Sequence, residues 1–413
     1  MARKIETALV QAGRAPIRDY GLVNPPLKRG STVLHENVAT KLARGKRAAL
    51  EPIENYGTMG NETHFALESA LAEIEGGTHA QVTCSGLSAI TVPLLAYLKT
   101  GDHLLMPDSV YGPTRHFCDT VLQRFGIETT YYRPMIDAPA LETLFRPNTR
   151  VLFTESPGSH TFEVQDIPAL AAVAHTHGAK VFLDNTWGIM HFAPFMHGVD
   201  VSIHALTKYV GGHSDIILGA VIVNNDEDWH WLRYGSLALG NCASPDDCWL
   251  ALRGLRTLKL RLKAVEAAGL QVANWFAAQP EVARVLHPAL PSCLGHEFFK
   301  RDFTGSCGLF GVVFQPQFSP EDVVRMIDTL KMFGLGASWG GFESLVLPTT
   351  GTISRSVGTG ELESPSALAW QPGWRSPAGA GGFEGPPARF QIGLEAVEDL
   401  IADLQAGLRA LHA

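Results

Sequence analysis

Two apolar periodicities alternate along the middle of the chain. In "ETHFALESALAEIEGG", residues 62–77, Phe65, Leu67, Leu71 and Ile74 lie on one side of a helix, which Gly76 and Gly77 stop. The runs "DHLLMPD" (102–108), "IETTYY" (127–132), "RVLFTE" (150–155), "AKVFLDN" (179–185) and "DVSIHAL" (200–206) are short and largely apolar, which predicts strands. Before "AKVFLDN", "IPALAAVAHTHG" predicts a helix ending at Gly178. Strands that alternate with helices predict a parallel sheet with helices on both faces.

The flanking regions read differently. Residues 1–60 lack a period and carry turn signals at "VNPPLKRGS". They predict an extended arm that packs on a neighbouring subunit. Residues 61–250 then form the larger domain. A long amphipathic stretch, residues 247–279, leads into a smaller C-terminal domain spanning 251–413. There "LFGVVF" predicts a strand, and Ser319 with Pro320 opens a helix. The last helix puts Val397, Leu400, Ile401, Leu404 and Leu408 on one face. The Gly- and Pro-rich segment 358–387 predicts a loop, either a lid over the substrate mouth with Trp370 or Trp374 against the substrate or a mobile surface insertion.

Composition narrows the class. Of 413 residues, 46% are hydrophobic and 18% charged, the profile of a compact globular protein. A net charge of −8 excludes the basic footprint that nucleic-acid binding needs. "AITVPLLAYL" is too short to cross a bilayer and contains Pro93, and no apolar run follows Arg3 and Lys4 to make a signal peptide. Cys84, Cys118, Cys242, Cys248, Cys293 and Cys307 show no Cys-x-x-Cys spacing, which reads as reduced thiols in a cytoplasmic protein. His175 and His177 invite a metal-dependent hydrolase, but a spacing of two on a helix turns the rings apart, and no metal is expected.

Ligands of open parallel sheets bind beyond the carboxyl ends of the strands. Three stretches end there. "VFLDNTW" presents Asp184, "VSIHALTK" presents Thr207 and Lys208, and "VTCSGLSAI" turns into a helix at Gly86. Singly these read as a turn cap, a surface lysine and a common Ser-Gly turn. Together they offer a helix N-terminus for a phosphate, a carboxylate for a protonated ring nitrogen and an amine for a Schiff base. Those are the three handles of pyridoxal phosphate.

The stretches "ESPGS", "DNTW", "TKYVGGHSD", "GLRTLKLRL", "HPALP", "GHEFFKRDFTGSCGLF", "SWGG" and "IGLEAVEDLIADL" occur in this order over nearly the whole chain. With them the sequence resembles the Cys/Met-metabolism family of pyridoxal phosphate enzymes, most closely its bacterial cystathionine beta-lyase branch. The resemblance implies an aspartate-aminotransferase-like fold (fold type I): a mostly parallel seven-stranded sheet plus a smaller α+β C-terminal domain. It implies that Lys208 holds the cofactor and shuttles protons, and that Asp184 pairs with the pyridinium nitrogen. Tyr111, in "SVYGPT", stacks on the ring. The amides of Gly86 and Leu87 and the hydroxyl of Thr207 hold the phosphate. Tyr56 reaches that phosphate from a neighbouring subunit and, with Tyr111, joins Lys208 in the catalytic set and lines the substrate. Thr58 stands where the family carries a phosphate-binding arginine. Arg389, in "ARFQIG", forks onto the substrate carboxylate, and Ser338 and Trp339 line the substrate end. The implied reaction is cleavage of cystathionine to homocysteine, pyruvate and ammonia in methionine biosynthesis, by a homotetramer built from dimers that share active sites. The same scaffold leaves open a γ-lyase, a γ-synthase, or a β-lyase acting on another thioether or selenoether amino acid. A non-catalytic pyridoxal-binding regulator is the remaining alternative.

Overall fold

The structure, a computed structural model, describes residues 4–17, 19, 21–353, 383 and 385–412. Trp370 and Trp374, with the lid expected of them, lie outside these residues. Twelve strands are described: β1 His79–Thr83, β2 His103–Pro107, β3 Glu128–Tyr132, β4 Thr149–Glu155, β5 Lys180–Asp184, β6 Val201–His204, β7 Gly219–Val223, β8 Val282–Leu286, β9 Leu309–Phe314, β10 Gly334–Leu335, β11 Leu345–Pro348 and β12 Pro387–Gln391. The first seven make one mostly parallel sheet and the last five a second, smaller one. Among the described residues, four α-helices precede β2: α1 Ile5–Gln11, α2 Val38–Arg47, α3 Glu62–Glu75 and α4 Gly86–Tyr97.

The chain gathers into two compact units. The first holds residues 1–99 and 182–259. Its strands lie in the order β1-β7-β6-β5. β5 and β6 run parallel, and β7 is antiparallel to both neighbours. The expected helix appears as α3, with Leu67 and Leu71 buried. Glu68 and Glu75 are buried as well, which the apolar pattern does not register. Asn61 caps α3 and Gly76, at φ 80°, ends it in the left-handed region.

Residues 1–60 depart from the expected irregular arm by carrying α1 and α2. No residue of α2 is buried, and its two large apolar residues, Val38 and Leu42, are too few to announce it. It forms on an Asn37 cap, whose side chain accepts from the Thr40 amide, and on Arg44, Lys46 and Arg47 in its last turn, where cations suit the helix dipole. The amphipathic stretch 247–279 also differs from expectation: it is two helices, Pro245–Leu255 and Leu258–Ala277. Between them the amides of Arg256 and Thr257 bond three residues back, to Arg253 and Gly254, which tightens the turn. Nη1 of Arg256 then donates to the carbonyls of Leu9 and Ala12, pinning α1.

The second unit holds residues 100–181 and 260–413. It carries β4-β2-β3, parallel where β2 meets each neighbour, and the smaller sheet in the order β10-β11-β12-β9-β8. Phe276, Phe310, Phe314 and Phe390 are fully buried, with Leu400 and Leu404 of the last helix against them. Each such side chain stabilises the fold by roughly 1.5–3 kcal/mol. Ser319 opens its helix with a capping box to Asp322, as its position before Pro320 suggests. Among the described residues no helix is long and apolar enough to cross a membrane.

Candidate active site

The first unit brings five of the candidate residues to one edge. Ser85 caps α4: its hydroxyl accepts from the Ser88 amide, and its carbonyl from Ala89. The amides of Gly86 and Leu87 donate to nothing among the described residues. They are the open N–H groups from which a helix start makes an anion seat. Position 86 must be glycine, because a Cβ there would stand 2.5 Å from Cβ of Ala205. That close approach sets the α4 start beside the residues that follow β6. Thr207 and Lys208 come next, and Gly212, at φ 69°, lets the chain turn back. The Thr207 hydroxyl donates to the Leu218 carbonyl at 3.1 Å and accepts from the Leu218 amide at 3.0 Å.

Asp184 ends β5. Its Oδ1 accepts from the hydroxyl of Thr186 at 2.6 Å and from the Thr186 amide at 3.0 Å. Its Oδ2 accepts from nothing among the described residues. Burial raises its carboxyl above the usual range, and the Thr186 bonds, then the charges of His204 and Lys208, offset this only in part. A half-buried carboxylate with one oxygen fixed and one left over suits a protonated ring nitrogen. Thr186, which no apolar pattern marks, also accepts from the Ala205 amide at 2.9 Å, so one hydroxyl fixes Asp184 and the approach to Lys208. The Asp-x-Thr spacing, a local turn motif, is the signal by which the sequence could have shown it.

Tyr56 and Thr58 belong to the same unit but not to this group. Neither bonds to Gly86, Asp184, Thr207 or Lys208. Tyr56 pairs with Thr32 in an isolated bridge and is about half exposed.

The second unit assembles the rest. Tyr111, 43% exposed, precedes a short helix, and its amide donates to Glu155 Oε2 at 2.8 Å. Glu155 also accepts from the Ser159 hydroxyl. It ends β4 and could have been found by the strand-end rule that singled out Asp184. Arg389 lies on β12 between Leu347 and Gly311. Its Nη2 donates to the Ser338 carbonyl at 3.0 Å, and no carboxylate pairs with it among the described residues. Burial pushes this guanidinium down to about 10, eased by Tyr111. Ser338 holds φ 83°, and Trp339 beside it is half-buried. His160, at φ 63°, sits close enough that burial and the charge of Arg389 push its imidazole down to about 4. A desolvated guanidinium without a counter-ion is a receptor for one.

The open helix-start amides, the spare carboxylate oxygen and the strand-end lysine are chemically suited to the phosphate, ring nitrogen and aldehyde of pyridoxal phosphate, and the fold is that of the pyridoxal-phosphate-dependent enzymes of fold type I. The chain belongs to the Cys/Met metabolism PLP-dependent enzyme family, whose model matches residues 6–365. It is 46% identical over 413 residues to a protein of Rhizobium johnstonii, covering 99% of this chain and 97% of that one. It is 40% identical over 410 residues to the cystathionine beta-lyase MetC of Escherichia coli, covering 98% of each. A crystal structure of cystathionine gamma-lyase from Lactobacillus plantarum complexed with L-serine superposes with a TM-score of 0.86 at 27% identity, over all of both chains.

Proposed function

We propose that the protein is a carbon–sulfur β-lyase that cleaves cystathionine, with one water, to homocysteine, pyruvate and ammonia in methionine biosynthesis. One observation carries the reading: a helix start with two unspent amides, a carboxylate with an unspent oxygen and a strand-end lysine share one compact unit. Likeness over nearly full length to the E. coli enzyme supports this reaction over others on the scaffold. Bound pyridoxal phosphate supplies an aldehyde for the substrate amine and a ring that accepts the electron pair left when the α proton departs.

The residues divide the remaining work. The Gly86 and Leu87 amides would hold the phosphate, and the Thr207 hydroxyl could join them by turning from the Leu218 carbonyl. Asp184 Oδ2 would accept from the ring nitrogen, and Tyr111 would cover the ring face. Lys208 takes the α proton on Nζ and delivers a proton to the departing sulfur. Arg389 clamps the substrate carboxylate, with Ser338 and Trp339 beside it. Tyr56 and Thr58 would complete the site of a neighbouring subunit. Val38 and Leu42, one turn apart on α2, and Leu34 before it are 72%, 61% and 88% accessible, which supports an arm packed on another subunit. We read the assembly as a homotetramer of two dimers in the cytoplasm; light scattering on the purified protein tests its size.

Incubation with cystathionine tests the reaction. Pyruvate with homocysteine is the expected outcome. Formation of 2-oxobutyrate with cysteine would move the protein to the γ-lyases. Arg389→Leu tests the clamp. Loss of a charge-assisted bidentate contact, about 1.5–3 kcal/mol, should raise KM about 10- to 100-fold. An unchanged KM would remove Arg389 from the site.

A further inference from the structure

β1 is an edge strand: among the described residues it pairs with β7 and with no other strand. An open edge leaves backbone groups to be satisfied by other means. Here side chains meet the backbone of Val82. Its amide donates to Glu68 Oε1 at 3.1 Å, and its carbonyl accepts from Asn241 Nδ2 at 3.0 Å. Two residues on, the Cys84 amide donates to Asn241 Oδ1 at 3.2 Å. One side-chain amide thus makes both bonds that a residue of a parallel neighbouring strand would make, to a carbonyl and to the N–H two positions later. The second hydrogen of the Asn241 carboxamide goes to the Ser236 hydroxyl at 2.9 Å. The Asn241 backbone amide donates to the Ser236 carbonyl at 3.0 Å, so the residue hangs on the end of the helix Asp226–Ala238.

The pairing of β1 with β7 stops at Thr83, opposite Gly219. The bond at Cys84 therefore lies past the sheet and serves the turn into α4. That turn is tightly laced. The hydroxyls of Thr83 and Ser88 each donate to the Ser85 carbonyl at 2.8 Å, and the Ser85 amide donates to Ser88 Oγ at 2.9 Å. Gly86 and Leu87 follow at once, with the two amides that donate to nothing among the described residues. The local bonds fix the shape of the turn. Asn241 ties that shape to a second helix, and so sets where the two amides stand.

We propose that Asn241 is a positioning residue for the cofactor's phosphate: by holding Cys84 in line with β1 it fixes the direction of the Gly86 and Leu87 amides. The proposal rests on the role given to those amides above. Asparagine suits the task because its two neighbours differ in kind, a carbonyl that needs a donor and an amide that needs an acceptor. A contact whose only work was to cover the open edge would end with the strand, whereas this one continues into the turn.

Asn241→Ala in the full chain, freed of cofactor, tests this. The readout is uptake of pyridoxal phosphate, followed by its visible band, against uptake of pyridoxal, which has the same ring and aldehyde but no phosphate. The Kd for pyridoxal phosphate should rise about tenfold, the effect of two lost hydrogen bonds, and that for pyridoxal by less than about twofold. Asn241→Asp keeps the acceptor for Cys84, loses the donor to Val82 and adds a negative charge near the seat. It should shift the same preference at least as far, and it serves if the alanine variant does not fold. An unchanged Kd for pyridoxal phosphate would overturn the proposal. So would an equal loss for both ligands, because a merely structural role weakens them alike. Wild-type protein that takes up pyridoxal as tightly as pyridoxal phosphate would instead sink the reading of Gly86 and Leu87 as a phosphate seat, and this one with it.

Discussion

Lys208→Ala should lower kcat/KM for cystathionine by about 10⁴-fold, the upper range for removing a residue that moves protons in the rate-determining chemistry. The chain places this lysine with care. It follows β6, close behind the Gly86–Ala205 contact that seats the α4 start, and its charge bears on Asp184. Alanine removes the amine and leaves the backbone turn to Gly212 intact. The phosphate seat and Asp184 persist, so the variant should still bind the cofactor, more weakly and without a covalent link. Dialysis should strip it from the variant and not from the wild type. A variant with turnover within tenfold of wild type would mean that another group moves the α proton.

Asp184→Asn should lower kcat by about 10²- to 10³-fold, comparable to removing a preorganised electrostatic group elsewhere in enzymes, with KM moving far less. Asparagine can keep its oxygen on Thr186, as Oδ1 does now. The second position then carries an amide, which cannot hold a proton on the ring nitrogen. Stability should move the other way. Burial raises the Asp184 carboxyl, so the folded state binds its proton more tightly than the unfolded chain does. Such a group lowers stability as pH climbs above its unfolded value of about 3.9. At neutral pH the cofactor-free variant should therefore melt at or above the wild-type temperature, a trade of stability for activity seen at many active sites. A destabilised variant with full kcat would contradict both halves.

The candidate site residues are easier to pick out in the sequence than the packing around them. Asp184, Lys208 and Gly86 stand where apolar runs stop, and strand ends are local features. The last helix was legible for the same reason: Leu400, Leu404 and Leu408 repeat every four residues and are buried. β1 and β7 were not. β1 reads "HAQVT", where Gln81 is buried because its amide finds Glu68 and the Val82 carbonyl, partners no local pattern shows. β7 reads "GAVIV", an apolar run whose antiparallel place between β1 and β6 is a long-range pairing. Glu75 looks like an ordinary acid at a helix end, and only the fold brings it to His204, 129 residues away. Of the smaller sheet only β9 announces itself, because β10 has two residues and β12 comes after a Gly- and Pro-rich stretch.

The most direct measurement is borohydride reduction of the cofactor-loaded wild type, then mass mapping of its peptides. Reduction makes a lysine–cofactor linkage permanent. The expected result is a pyridoxyl group on the peptide that contains Lys208 and on no other. A label on a different lysine, or none on protein that has taken up the cofactor, would contradict the account.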